Sequence, residues 1–70
     1  MKRIYEVGSL TDGKVEWVGK AVVNLERVSM AYQYGPEAVL VRVAGYSKLV
    51  PVHVSFEQFC QHWVSVPGDI

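Results

Sequence analysis

The chain has one cysteine, Cys60, so no internal disulfide can form. A small domain without such staples suits a reducing compartment, and cytoplasmic residence is the expectation. Charge of either sign is also scarce. Seven Lys and Arg balance seven Asp and Glu, and charged residues make up 20% of the chain. Lys2 and Arg3 adjoin, but Lys14, Lys20, Arg27, Arg42 and Lys48 are scattered. A neutral chain without basic runs exerts little long-range pull on polyanions, which counts against nucleic acid as the main partner. No apolar run approaches the roughly 20 residues of a membrane span. The N-terminus, Met-Lys-Arg-Ile-Tyr-Glu, lacks the apolar core of a signal peptide. No glycine-rich phosphate loop is present; Gly8, Gly13 and Gly19 read as punctuation between strands.

What is abundant is apolar side chain, half of 70 residues. That length makes a single domain, residues 1–70, and a chain so short buries only about 60% of its unfolded surface. The surplus of apolar residues predicts burial against another copy or a protein partner.

Residues Leu49 to Trp63 carry the clearest pattern. Leu49–Val54 alternates like a strand, with Val50, Val52 and Val54 opposite Leu49, Pro51 and His53. From Ser55 the period becomes helical, and Phe56, Phe59, Cys60 and Trp63 share one face. Ser55 is placed to cap this helix, with Gln58 at the second capping-box position. The helix is expected over Ser55 to about Val64, followed by a Pro67–Ile70 tail.

Upstream, Arg3–Val7 alternates and suits a first strand. Gly8–Lys14 reads as a loop with Asp12-Gly13 as its turn, and Val15–Val18 as the returning strand. Gly19-Lys20 is a break, after which Ala21–Asn24 resumes an extended pattern. Asn24 caps a short turn at Leu25–Arg27, and Val28–Gln33 is a strand; a helical turn is the competing reading of Leu25–Tyr32. Tyr34–Glu37 is a turn. Ala38–Ala44 is the strongest strand, and both its faces are apolar except at Arg42, so it belongs mid-sheet between two layers. The helix covers one face, and a second subunit is the expected cover of the other. Gly45–Ser47 is a hairpin loop, and Lys48–Val54 returns antiparallel. Pro51 cannot donate to a ladder, which places this strand at an edge or at a bulge. The predicted fold is α+β: a four- or five-stranded, mainly antiparallel sheet with one C-terminal helix on one face.

No constellation of reactive residues emerges. Cys60 and His62 lie two apart on a helix and diverge, and Cys60 falls on the apolar stripe, where a small buried hydrophobe is expected. Two histidines, one cysteine and scattered carboxylates show no metal-ligand spacing, so neither a metal nor another cofactor is expected. Glu57 in the first helical turn complements the helix dipole. Trp17, Tyr32, Tyr34, Arg42, Tyr46 and Leu49 remain as candidate interaction residues, since Trp, Tyr and Arg dominate protein interfaces.

The cadence of Asn24 with Val28, Ala38–Ala44, Val52–Val54 and Ser55-Phe56-Glu57-Gln58-Phe59 resembles small bacterial proteins of the FlbD type, found among flagellar genes. A similar strand-to-helix step occurs in the LytTR DNA-binding domain. The resemblance covers about the last two-thirds of the chain. Trp17, Pro51 and Cys60-Gln61-His62-Trp63 have no counterpart in it, and the basic character of a LytTR-like DNA reader is missing. It implies a small non-enzymatic accessory protein and assigns no functional residue. The expected function is therefore a non-catalytic interaction module acting as a homo-oligomer. The alternative is a nucleic-acid-binding regulator using Trp17, Arg42, Tyr46 and Lys48.

Overall fold

Asp12 and Gly13 both adopt positive φ, 53° and 77°. That is the two-residue turn whose twist matches paired strands. A computed structural model describes residues 1–64; the predicted Pro67–Ile70 tail lies outside them. The turn joins Lys2–Thr11 (β1) to Lys14–Asn24 (β2), paired antiparallel over almost their full length. The loop expected at Gly8–Lys14 and the break at Gly19-Lys20 are thus replaced by continuous strand. Gly8 serves close approach instead. The register shifts after Val7, so that Val7 faces Gly19 and Gly8 faces Trp17, leaving Val18 as an extra residue in β2. A side chain at Gly8 would sit 2.2 Å from the Glu16 carbonyl oxygen.

Leu25–Arg27 forms the expected short turn, of 3-10 type. The Asn24 side chain accepts from the Glu26 N–H at 3.1 Å, and the Leu25 N–H donates to the Met1 carbonyl at 2.8 Å. Val28–Gln33 (β3), Val39–Val43 (β4) and Val50–Val52 (β5) follow, then the helix Phe56–Val64 (α1). The sheet is five-stranded, in the order β2-β1-β5-β4-β3, and every pairing is antiparallel. With one C-terminal helix it is the predicted α+β architecture.

Pro51 departs from expectation, because β5 is the central strand. It pairs with β4 through Val39↔Val52, Leu40↔Pro51 and Val41↔Val50. On its other side the His53 N–H donates to the Glu6 carbonyl at 2.8 Å. In an antiparallel ladder the next donor toward β1 would come from residue 51, where proline has none. Pairing with β1 accordingly ends at Val7↔Val52, and β1 leaves the ladder at Gly8. The strand is also shorter than the predicted Lys48–Val54.

Neighbouring strands lie about 4.8 Å apart, so the edge strands β2 and β3 of a flat sheet of this order would be about 19 Å apart. Yet one 3-10 turn, advancing about 2 Å per residue, joins them. The sheet must therefore curl. Its inner face gathers Tyr5, Val23, Leu25, Val28, Val39, Val41 and Val52 around Phe59 of α1. Tyr5 and Phe59 pack with ring centroids 5.8 Å apart, and so do Phe59 and Trp63. Phe59 has no exposed surface, while Phe56, Cys60 and Trp63 are half-buried around it. Ser55 Oγ accepts from the Gln58 N–H at 3.1 Å, which caps the helix as predicted.

On the outer face of β4 and β5, Leu40 and Pro51 are already buried within the chain. The Tyr34 hydroxyl, beyond β3, donates to the Gly13 carbonyl at the tip of the β1–β2 hairpin. Trp17 stacks on His53 with ring centroids 4.7 Å apart. The far half of that hairpin thus crosses the outer face. Leu40 and Ala38 retain 7% and 8% exposure, and Pro51 is fully buried. Val39, Leu40 and Val41 of the two-sided apolar strand are buried within the chain itself.

Candidate binding groove and histidine cluster

The curl leaves one end of the inner face uncovered by α1. There a groove of about 900 Å³ opens, floored by Val7, Val23, Val41, Val43 and Val50. Val18 and Val22 of β2 form one rim; Tyr46, Lys48 and Leu49 of the β4–β5 loop form the other. Gly8–Thr11 closes the side toward the hairpin. Beside the groove, Val22 pairs with Ile4 across the ladder, and both side chains stand in solvent. Val18 is 76% exposed. Apolar residues in this position on an edge strand invite pairing with another chain.

The structure separates the candidate interaction residues into three places. Tyr46 and Leu49 meet at the groove rim. Tyr32 and Arg42 project from the outer face of β3 and β4, where Arg42 faces Met30 and Tyr32 faces Leu40. Trp17 and Tyr34 hold the folded-over hairpin. Trp17, Arg42, Tyr46 and Lys48 are therefore not brought to one surface.

A cluster that sequence reasoning missed lies on the outer face. His53 Nδ1 is 3.0 Å from Glu6 Oε1, and His53 Nε2 is 3.2 Å from Glu37 Oε1. The ring also stacks on Trp17. These groups come from β1, β2, the β3–β4 turn and the residue after β5, and Glu6 and His53 are 47 positions apart. No local spacing signals them. Hydrogen bonds to Glu6 and then Glu37 hold the His53 pKa above its ordinary value, against a smaller opposing effect of desolvation.

His62 is half-buried, and its Nδ1 lies 2.9 Å from the Tyr5 hydroxyl. Desolvation, then the Arg3 charge, lowers its pKa. Desolvation raises that of Tyr5, with Arg3 partly opposing. Both directions favour a neutral imidazole hydrogen-bonded to a neutral phenol. Each histidine is thus committed to a structural partner. Among the described residues, no three His, Cys, Asp or Glu are grouped to hold a metal ion, and no helix is long and apolar enough to cross a membrane. No protein family, curated protein or solved structure matches this chain.

Proposed function

We propose that this chain is a non-catalytic cytoplasmic interaction module that self-associates through the valine groove and the free edge of β2. The observation that carries this reading is the groove itself, an aliphatic floor with an unpaired strand along one rim. An extended segment laid there hydrogen-bonds to the β2 main chain and sends alternate side chains onto the valines. The exposed stretch around Val18–Val22 of a second copy has that character. A small accessory role also agrees with the FlbD-type resemblance. Trp17, Arg42, Tyr46 and Lys48, spread over different surfaces, give the nucleic-acid alternative less support.

Sedimentation across a wide concentration range tests the proposal. Wild type is expected to self-associate. Val22→Lys should weaken association by roughly 10- to 100-fold, the equivalent of about 1.5–3 kcal/mol for one buried valine. The methyl resonances of Val41, Val43 and Val50 should shift with protein concentration. A strict monomer with unmoved groove methyls overturns the reading.

A further inference from the structure

Both ring nitrogens of His53 face carboxylate oxygens. A neutral imidazole has one N–H and one lone pair, so it can satisfy only one such contact and sets its lone pair against the other carboxylate. The imidazolium donates to both. It also gains from lying over the Trp17 indole, since a cation is attracted to that ring's face. Geometry alone therefore selects the charged form.

The contacts differ in what they restrain. Glu6 lies in the part of β1 that pairs with β2 ahead of the register shift, and Glu37 lies in the β3–β4 turn. Trp17 belongs to the far half of the hairpin, opposite Gly8. That half meets the rest of the fold through the Trp17–His53 stack and the Tyr34–Gly13 hydrogen bond. It also supplies Gly8–Thr11 and Val18 to the groove.

We propose that His53, held as an imidazolium between Glu6 and Glu37 beneath Trp17, is a proton-operated clasp that fixes the far half of the β1–β2 hairpin and so sets the shape of the groove wall. The charges acting on the ring are Glu6 and Glu37. Lys20, the cross-strand partner of Glu6, is the cation on the neighbouring strand. Trp17, Pro51 and Val52 are uncharged. The clasp is closed at low pH and opens as pH rises through the His53 midpoint, when one carboxylate contact turns repulsive and the charge over the indole disappears. The consequence for partner binding rests on the groove reading; the clasp itself does not.

NMR titration of the full chain between about pH 5 and pH 9 tests it. The His53 ring protons should titrate with a midpoint above the ordinary value near 6.5. The amides of residues 9–17 should shift with the same midpoint, as should the groove methyls of Val41 and Val43. Glu37→Gln removes one exposed carboxylate and should lower the midpoint toward the ordinary value, carrying the hairpin shifts with it. His53→Gln should flatten the hairpin response. Hairpin amides that ignore the His53 midpoint, or a midpoint that Glu37→Gln leaves in place, overturn the proposal. Neither readout needs a partner, so failure of self-association and failure of the clasp are separate results.

Discussion

Gly8→Ala is the substitution whose effect the geometry states most directly. A Cβ at this position would lie 2.2 Å from the Glu16 carbonyl oxygen, 2.9 Å from its carbon and 3.0 Å from Trp17 Cα. All three are backbone atoms, so no side chain can rotate away, and β2 must move off β1 at the register shift. Overpacking of this kind costs about 1–3 kcal/mol. Replacing glycine by alanine also restricts the unfolded chain, a gain of about 0.4–1 kcal/mol. The clash wins, leaving a net loss of about 1–2 kcal/mol. A chain of this length has a total stability of roughly 4–10 kcal/mol. Thermal unfolding followed by circular dichroism should show the midpoint falling by about 5–15 °C. Gly19→Ala supplies the control, since a Cβ there meets nothing within 4 Å. It keeps the unfolded-state gain without the clash and should match or exceed wild type. The difference between the two variants isolates the steric contact. A Gly8→Ala protein as stable as Gly19→Ala would refute the reasoning.

Phe59→Ala removes the fully buried ring at the centre of the core and should cost about 3–5 kcal/mol, enough to leave much of the chain unfolded in a urea titration. Ser55→Ala deletes the cap of α1 and should cost about 1 kcal/mol by the same assay. The two histidines give stability opposite slopes with pH. The contribution of His53, with its raised pKa, is complete below about 6.5 and is lost as pH climbs through its folded value. That of His62, with its lowered pKa, is complete above about 6.5 and is lost as pH falls through its folded value. Combined, they place the stability maximum of these two groups near 6.5. Denaturation at several pH values should show His53→Gln weakening the decline on the alkaline side, while a profile unchanged by that variant would contradict the assignment.

The parts of the fold legible in the sequence were those whose signals are local. Phe56, Phe59 and Trp63 declare α1 by period, Ser55 marks its start, Asp12-Gly13 marks a hairpin, and Asn24 marks the 3-10 turn. The rest was set by contacts between distant positions. Gly8 and Gly19 read as interruptions, yet both lie within continuous strand, and at Gly8 the two strands approach too closely for a side chain. Pro51 reads as an edge residue because it lacks a donor; the sheet accommodates it centrally by ending the pairing toward β1. The apolar outer side of β4 reads as a surface awaiting a partner because alternation cannot reveal that a hairpin folds back over it. At the candidate sites, Tyr46 and Leu49 were visible as loop-side apolar residues. The His53 cluster was not, since its members meet only after the sheet has curled.

The strand order has a consequence for how the molecule assembles. β1–β2 and β3–β4 are self-contained local hairpins, and they share no ladder with each other. Everything that makes them one sheet passes through Val50–Val52, a keystone three residues long that is synthesised after both. A nascent chain stopped short of Val50 would hold two separate ribbons with their valines in water. Cooperative folding must then wait for Val50–Val52 to be made, and lesions in this briefest strand should unfasten the whole molecule instead of fraying one edge.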